Sequence, residues 1–184
     1  SPQLSSETLA HEGYPGHLYF FNYVKQQGWH PINFFVSNIG FEEGWAEYAA
    51  RLSLDSWGLD PDMMEVIFLD QEFSYLLMGL SDIGINYGGW TVDDVYDLWE
   101  TYFYLDSAED VRDVYDACMA EPGTILSYSI GYYQICDLEE EVKEMLGESF
   151  DHNEFVTELL SVGGASFDIT RSYIMEWANE KLHG

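Results

Sequence analysis

The sequence predicts an all-α protein: a multi-helical single domain over residues 1–184 with roughly eight helices, the histidine-bearing helix kinked or bulged. Three observations predict it. Apolar residues recur at helical spacing through nearly every long segment, and alternating apolar and polar runs are scarce. Helix start signals precede those segments, and glycines stop them.

Taken in order, a first helix runs from about Ser6 through His11 and His17 to Gln27 and stops at Gly28, with Pro31 opening a loop or short turn. Glu43 to Trp57 reads as the second helix, stopped by Gly58. Asp60 before Pro61 is an N-cap with proline at the first helical position, starting a helix that reaches roughly Ile85. Apolar residues cover most of that helix's circumference, which predicts a central position. Gly88-Gly89 breaks the chain. Thr91 with Asp94, and Ser107 with Asp110, read as capping boxes with aspartate in place of glutamate, each starting a short helix. Pro122 opens a helix that carries Tyr128 and runs to Met145, Asp151 caps the next, and Gly163-Gly164 separates it from a last helix ending near Leu182. No repeat, low-complexity segment or linker interrupts the chain.

Of the 184 residues, 47% are hydrophobic and 17% aromatic, enough for one domain to bury about 70% of its unfolded surface. The formal charge is −28, from 34 acidic against 6 basic residues. Nucleic acid and anionic membrane surfaces both demand basic patches, so that balance argues against them. A cationic substrate or partner is attracted, although keeping the surface soluble is the plainer reading, and divalent ions gather nonspecifically. Cys118 and Cys136 are too few for a disulfide framework and do not match a thiolate zinc site, so free buried thiols are expected. No run of about eighteen apolar residues predicts a membrane span, and no signal peptide opens the chain.

The chemistry concentrates in His11-Glu12-Gly13-Tyr14-Pro15-Gly16-His17 and in Phe41-Glu42-Glu43-Gly44-Trp45-Ala46-Glu47-Tyr48. Zinc commonly takes two neutral imidazoles and one carboxylate, leaving a fourth position for water, and an unligated glutamate nearby can take that water's proton. In the familiar H-E-x-x-H helix the histidines lie four residues apart on one face. Here the gap is six, which on an ideal helix rotates the second by about 120° and lifts it about 9 Å. Sharing one ion therefore requires distortion. Pro15 cannot donate to the carbonyl of His11, and Gly16 tolerates backbone angles that other residues avoid, so a bulged or locally unwound turn with two extra residues is expected. From this spacing alone, metal binding and a polar helix face near a cleft stand about even. The downstream motif shifts the balance, with Glu43 read as the third ligand and Gly44 allowing close backbone approach. Glu47, one turn on, is either an acceptor for a ligand imidazole or a solvated charge, the solvated reading being preferred; Glu42 is expected to be exposed. His30, His152 and His183 lack acidic partners at ligand spacing and read as surface or structural.

The run from His11 to His17 and Glu43-Gly44-Trp45-Ala46, with Asp82-Ile83-Gly84-Ile85-Asn86, Gly89-Trp90-Thr91, Pro122, Ser127-Tyr128 and Gly131, resemble the C-terminal part of the bacterial family called domain of unknown function 885 nearly end to end. That family resembles helical metallopeptidases of the glutamate-zincin kind. The resemblance implies a mostly helical fold, a zinc ion, a peptide or peptide-like substrate, His11, His17 and Glu43 as ligands and Glu12 as the base. It also lifts Tyr128 above the other tyrosines, as a donor to the oxyanion of the tetrahedral intermediate. The chain departs from many relatives by carrying Leu18 and Phe20 after the second histidine, Ser129 and Tyr132 in place of basic residues, and Asn86 where a histidine often stands. Asn86 reads as a helix cap or a substrate contact, capping being preferred. Relatives are several times longer and often exported or lipid-anchored. The resemblance thus implies a missing N-terminal region that completes the cleft, and an extracytoplasmic home.

The expected activity is zinc-dependent hydrolysis of a peptide bond, in which Glu12 accepts a proton from metal-activated water and passes it to the leaving amine. Two alternatives remain. One is a non-catalytic helical interaction module with a vestigial or structural metal site; the other is hydrolysis of a non-peptide amide or ester at the same site.

Overall fold

The structure is a computed structural model and describes residues 2–29, 36, 38–58 and 60–184; the calls on His30 and Pro31 lie outside the described residues. Among the described residues there are nine α-helices and no strand: α1 Pro2–Glu12, α2 His17–Gln26, α3 Ile39–Leu52, α4 Pro61–Asn86, α5 Val92–Trp99, α6 Arg112–Ala120, α7 Thr124–Leu146, α8 His152–Val162 and α9 Phe167–His183. The all-α expectation holds. The additional helix arises because the predicted first helix breaks in two at Gly13–Gly16. Contacts group the chain into two compact units, Ser1–Leu59 with Ile130–Gly184, and Asp60–Ser129.

The first unit forms around side chains with almost no exposure, among them Phe20, Phe41, Trp45, Ile135, Phe155 and Ile174. Each contributes about 1.5–3 kcal/mol relative to an exposed side chain. Asn38 starts α3: its side chain accepts from the Phe41 N–H and donates to the Ala165 carbonyl at 2.6 Å, tying this helix start to the turn before α9. At Gly40 and Gly44, two and six residues later, the α3 backbone meets α7 directly. A Cβ at Gly44 would lie 2.3 Å from the Gly131 carbonyl carbon, and one at Gly131 would lie 1.9 Å from the Gly40 oxygen. Only glycine fits at either position, as the close-approach reading of Gly44 expects.

A polar group is also built into this unit. Glu139 of α7, 8% exposed, accepts from His152 Nδ1 at 2.8 Å and from Lys143 Nζ at 3.1 Å. His152 thus plays a structural part, as its reading as surface or structural expects, through an acidic partner 13 positions earlier that the turn between α7 and α8 brings to it. His183 is exposed in the last turn of α9. Burial raises the Glu139 carboxyl pKa, but His152 and Lys143 outweigh it and hold the group below its ordinary value. The ionised form is thus favoured in the folded chain. Its stabilisation is present above the unfolded carboxylate range and is lost as pH falls through the lower folded value. Glu139→Gln lacks this contribution, so its acid unfolding, followed by circular dichroism, is expected to start at higher pH than that of wild type; coincident acid limbs would remove Glu139 from the linkage.

The second unit follows the predicted punctuation closely. The Asp60 carboxylate accepts from the Met63 N–H at 3.2 Å, with Pro61 opening α4. Both capping boxes form, Thr91 with Asp94 before α5 and Ser107 with Asp110 before a 3-10 turn, Ala108–Val111, that leads into α6. Ile85, Val95, Val111 and Cys118 form its core, and the Trp90 ring fills the space above Gly84, where a Cβ would come within 2.1 Å. Asn86 is not the C-cap, which is Tyr87; its amide donates to Asp82 at 2.7 Å and to the Cys118 carbonyl at 3.0 Å, bracing α4 against α6. Both cysteines are free, and burial with the nearby Asp82 charge pushes the Cys118 thiol up to about 11. Helix α4 is not central as expected: one face packs on α6, while the other leaves Val66, Leu69, Leu76 and Leu80 exposed.

Candidate metal centre

The histidine motif does not occupy a single bulged helix. α1 ends at Glu12, α2 begins at His17, and the connection Gly13–Gly16 contains a cis Tyr14–Pro15 peptide. The break is bridged by widened turns, in which the Gly16 N–H donates to the Ala10 carbonyl at 2.9 Å and the Tyr19 N–H to the Gly13 carbonyl at 3.3 Å, each six residues back. Two residues more per turn than an α-helix is what the sequence required, reached here by ending one helix and starting another. Gly16 is indispensable to it, since a Cβ there would lie 1.8 Å from the His11 carbonyl oxygen.

The turn brings the two imidazoles edge to face with centroids 4.8 Å apart. Helix α3 lies against α1 and supplies Glu43, whose Oε2 is 3.3 Å from His11 Nε2 and 3.3 Å from His17 Nε2. One ligand atom from each of His11, His17 and Glu43 falls within 4.8 Å of the other two, the one such group among the described residues. His11 is buried, while His17 and Glu43 are half-buried.

Glu47 corrects the sequence reading. Instead of a solvated charge it is 4% exposed, and its Oε1 lies 3.1 Å from His11 Nδ1. One helical turn separates Glu43 from Glu47, so the two carboxylates address the two nitrogens of one imidazole. Glu42 is half-buried rather than exposed. A further acid went unflagged: Glu7 is 7% exposed one turn before His11, and the signal that would have found it is its i, i+4 spacing from that histidine.

The electrostatics follow from this packing. Burial works against a charge on His11, yet Glu43 and Glu47 outweigh it and raise its pKa to about 9. Burial likewise opposes ionisation of Glu43, but the two histidines outweigh it and bring the carboxyl down to about 2. The group is therefore a cation-seeking pocket. Glu43 Oε2 and His17 Nδ1 are both buried without a well-formed hydrogen bond, the Glu43 oxygen lying equidistant from two nitrogens. Two imidazoles and one carboxylate drawn together in this way are a donor set that zinc takes, and an ion held among them would satisfy the Glu43 oxygen.

Of the other predicted residues, Glu12 is exposed at the end of α1, adjacent in sequence to His11. Tyr128 belongs to the second unit, where its half-buried ring lies 5.2 Å from that of Tyr75.

A histidine pair, closed by one carboxylate and flanked by another on an all-α scaffold, defines a candidate metal-binding helical protein. The chain belongs to the family described as "Bacterial protein of unknown function (DUF885)", which it matches over residues 2–174. Its fold is similar to that of a "putative lipoprotein" from Colwellia psychrerythraea, with a TM-score of 0.81 and 23% identity over 95% of this chain and 30% of that one. A "putative lipoprotein of unknown function" from Shewanella oneidensis is similar with a TM-score of 0.75 and 23% identity, over 92% of this chain and 31% of that one. The chain thus spans less than a third of either protein's length. No curated protein matches it. Among the described residues no helix is long and apolar enough to cross a membrane.

Proposed function

We propose that this chain carries the catalytic centre of a zinc-dependent hydrolase, most simply a metallopeptidase. The observation that supports the reading is the convergence of His11, His17 and Glu43 around one point, their ligand atoms within 4.8 Å of one another. His11 and His17 bind through Nε2 and Glu43 through a carboxylate oxygen. Glu47, whose Oε1 lies 3.1 Å from His11 Nδ1, would hold the ring and favour the tautomer that turns the Nε2 lone pair inward. A bound zinc ion supplies a Lewis acid that polarises a carbonyl and lowers the pKa of a water toward about 7. Glu12, exposed and next to His11 in sequence, would serve as the base toward that water and as the proton donor to the leaving amine.

Three protein ligands favour catalysis over a structural site, since structural zinc is usually closed by four. The peptide substrate follows from the resemblance to glutamate-zincins, and the same residues serve hydrolysis of another amide or an ester. The lipoprotein descriptions of the Colwellia and Shewanella proteins support an extracytoplasmic location.

Elemental analysis after dialysis against a weak chelator is expected to find about one zinc per chain. The Glu12→Gln variant is expected to retain that zinc while peptide-library hydrolysis falls by about 10²–10⁴-fold. Undiminished turnover in Glu12→Gln would remove Glu12 from the mechanism. A chain that takes up no zinc would remove the metal centre.

A further inference from the structure

Helix α4 leaves an ordered apolar face largely exposed, with Phe73 on it meeting the Tyr102 and Phe103 rings of the same unit. Apart from Met63, its exposed large apolar residues, together with Tyr87 just after it, are separated by alternating steps of three and four: Val66, Phe73, Leu80 and Tyr87 in one row, Leu69, Leu76 and Ile83 in the other. Alternation of three and four is the 3.5-residue period of a seam between two helices, the first row in its a positions and the second in its d positions. From Val66 to Tyr87 the seam is about 32 Å long, some six turns. Single exposed apolar residues are ordinary, whereas seven in one register are not. The opposite face is already occupied, with Met64, Phe68, Leu77 and Ile85 buried.

Charge selects the partner. Helix α4 carries five carboxylates and no lysine or arginine, and the whole unit Asp60–Ser129 has sixteen carboxylates against the single Arg112. A second copy laid along this seam would bring two such surfaces together, and that repulsion opposes self-pairing. We propose that the exposed face of α4 docks an amphipathic helix of another polypeptide, apolar at its a and d positions and lysine- or arginine-bearing at the flanking ones. Recognition is then of the helix-in-groove kind, the apolar rows giving register and the basic flanks meeting the acidic surface.

The test titrates two synthetic three-heptad peptides, both with leucine seams, one flanked by lysines and the other by glutamates, into the whole chain and into Leu69→Gln/Leu76→Gln. Both substituted positions are exposed and neither substitution changes the charge, so the variant is expected to keep the wild-type circular dichroism spectrum. The lysine peptide is expected to bind wild type, to gain helicity on binding and to lose at least about tenfold in affinity for the variant, while the glutamate peptide does not bind. Equal affinity of the lysine peptide for wild type and variant would mean charge attraction alone and would overturn the proposal. So would an absence of binding, or a wild-type dimer in sedimentation that the variant converts to monomer, which would make a second copy the occupant.

Discussion

Replacing Glu43 by alanine is expected to lower zinc affinity by more than about 100-fold, whereas Glu47→Ala is expected to cost about 10–100-fold. The grading follows from position. Glu43 Oε2 stands 3.3 Å from both histidine Nε2 atoms, so its removal takes away a proposed ligand and leaves the two Nε2 atoms with no carboxylate between them. Glu47 touches only the far nitrogen of His11, at 3.1 Å, so its loss frees the ring to rotate or change tautomer without removing a ligand. Competition against a chromophoric chelator measures both. Equal losses would make Glu47 a ligand in its own right. No loss in either would mean that the zinc sits elsewhere on a surface carrying 34 acidic residues. Neither variant is expected to lose helical circular dichroism, because α3 is held by Phe41, Trp45 and its crossing with α7 rather than by the two carboxylates.

The second large effect concerns that crossing. Gly44→Ala is expected to destabilise the chain by about 1–3 kcal/mol or more, since the new methyl must displace the α7 backbone, which a rotamer change cannot do. The clash is 2.3 Å to the Gly131 carbonyl carbon and 2.6 Å to its Cα and oxygen. Because Gly44 follows Glu43 directly, the same displacement moves the proposed ligand, so thermal stability and zinc affinity fall together. Gly40→Ala is the control on the same helix: its methyl would meet nothing nearer than 3.4 Å, and alanine favours a helix over glycine. A Gly44→Ala chain that melts like Gly40→Ala would show that the two helices are free to separate.

Much of this was legible in the sequence wherever the determinant was local. Asp60-Pro61, Thr91 with Asp94, Ser107 with Asp110 and Asp151 mark helix starts because each side chain reaches a backbone N–H only two or three residues away. The distortion between His11 and His17 was likewise readable from a six-residue gap holding proline and glycine, although its form, an end and a restart, depends on the Gly16 backbone seating against the His11 carbonyl.

What escaped the sequence was decided by partners distant along the chain. The apolar circumference of α4 pointed to a central helix, but only packing determines which apolar face finds a neighbour, and α6 takes one face alone. Glu47 looked like a solvated charge because its partner, His11, lies 36 positions earlier, and only the packing of α1 on α3 buries the pair. Asn86 was misread for the same reason, its partner Cys118 lying on another helix, and the Glu139 partner of His152 was hidden in the same way. By itself the sequence determined the helix starts and stops and the residue types able to hold a metal, since those depend on hydrogen bonds and backbone angles within a few residues. Tertiary structure alone decided which carboxylate faces which nitrogen and which apolar stripe is left for a partner, because burial and pairing depend on the side chains that other helices bring to the same place.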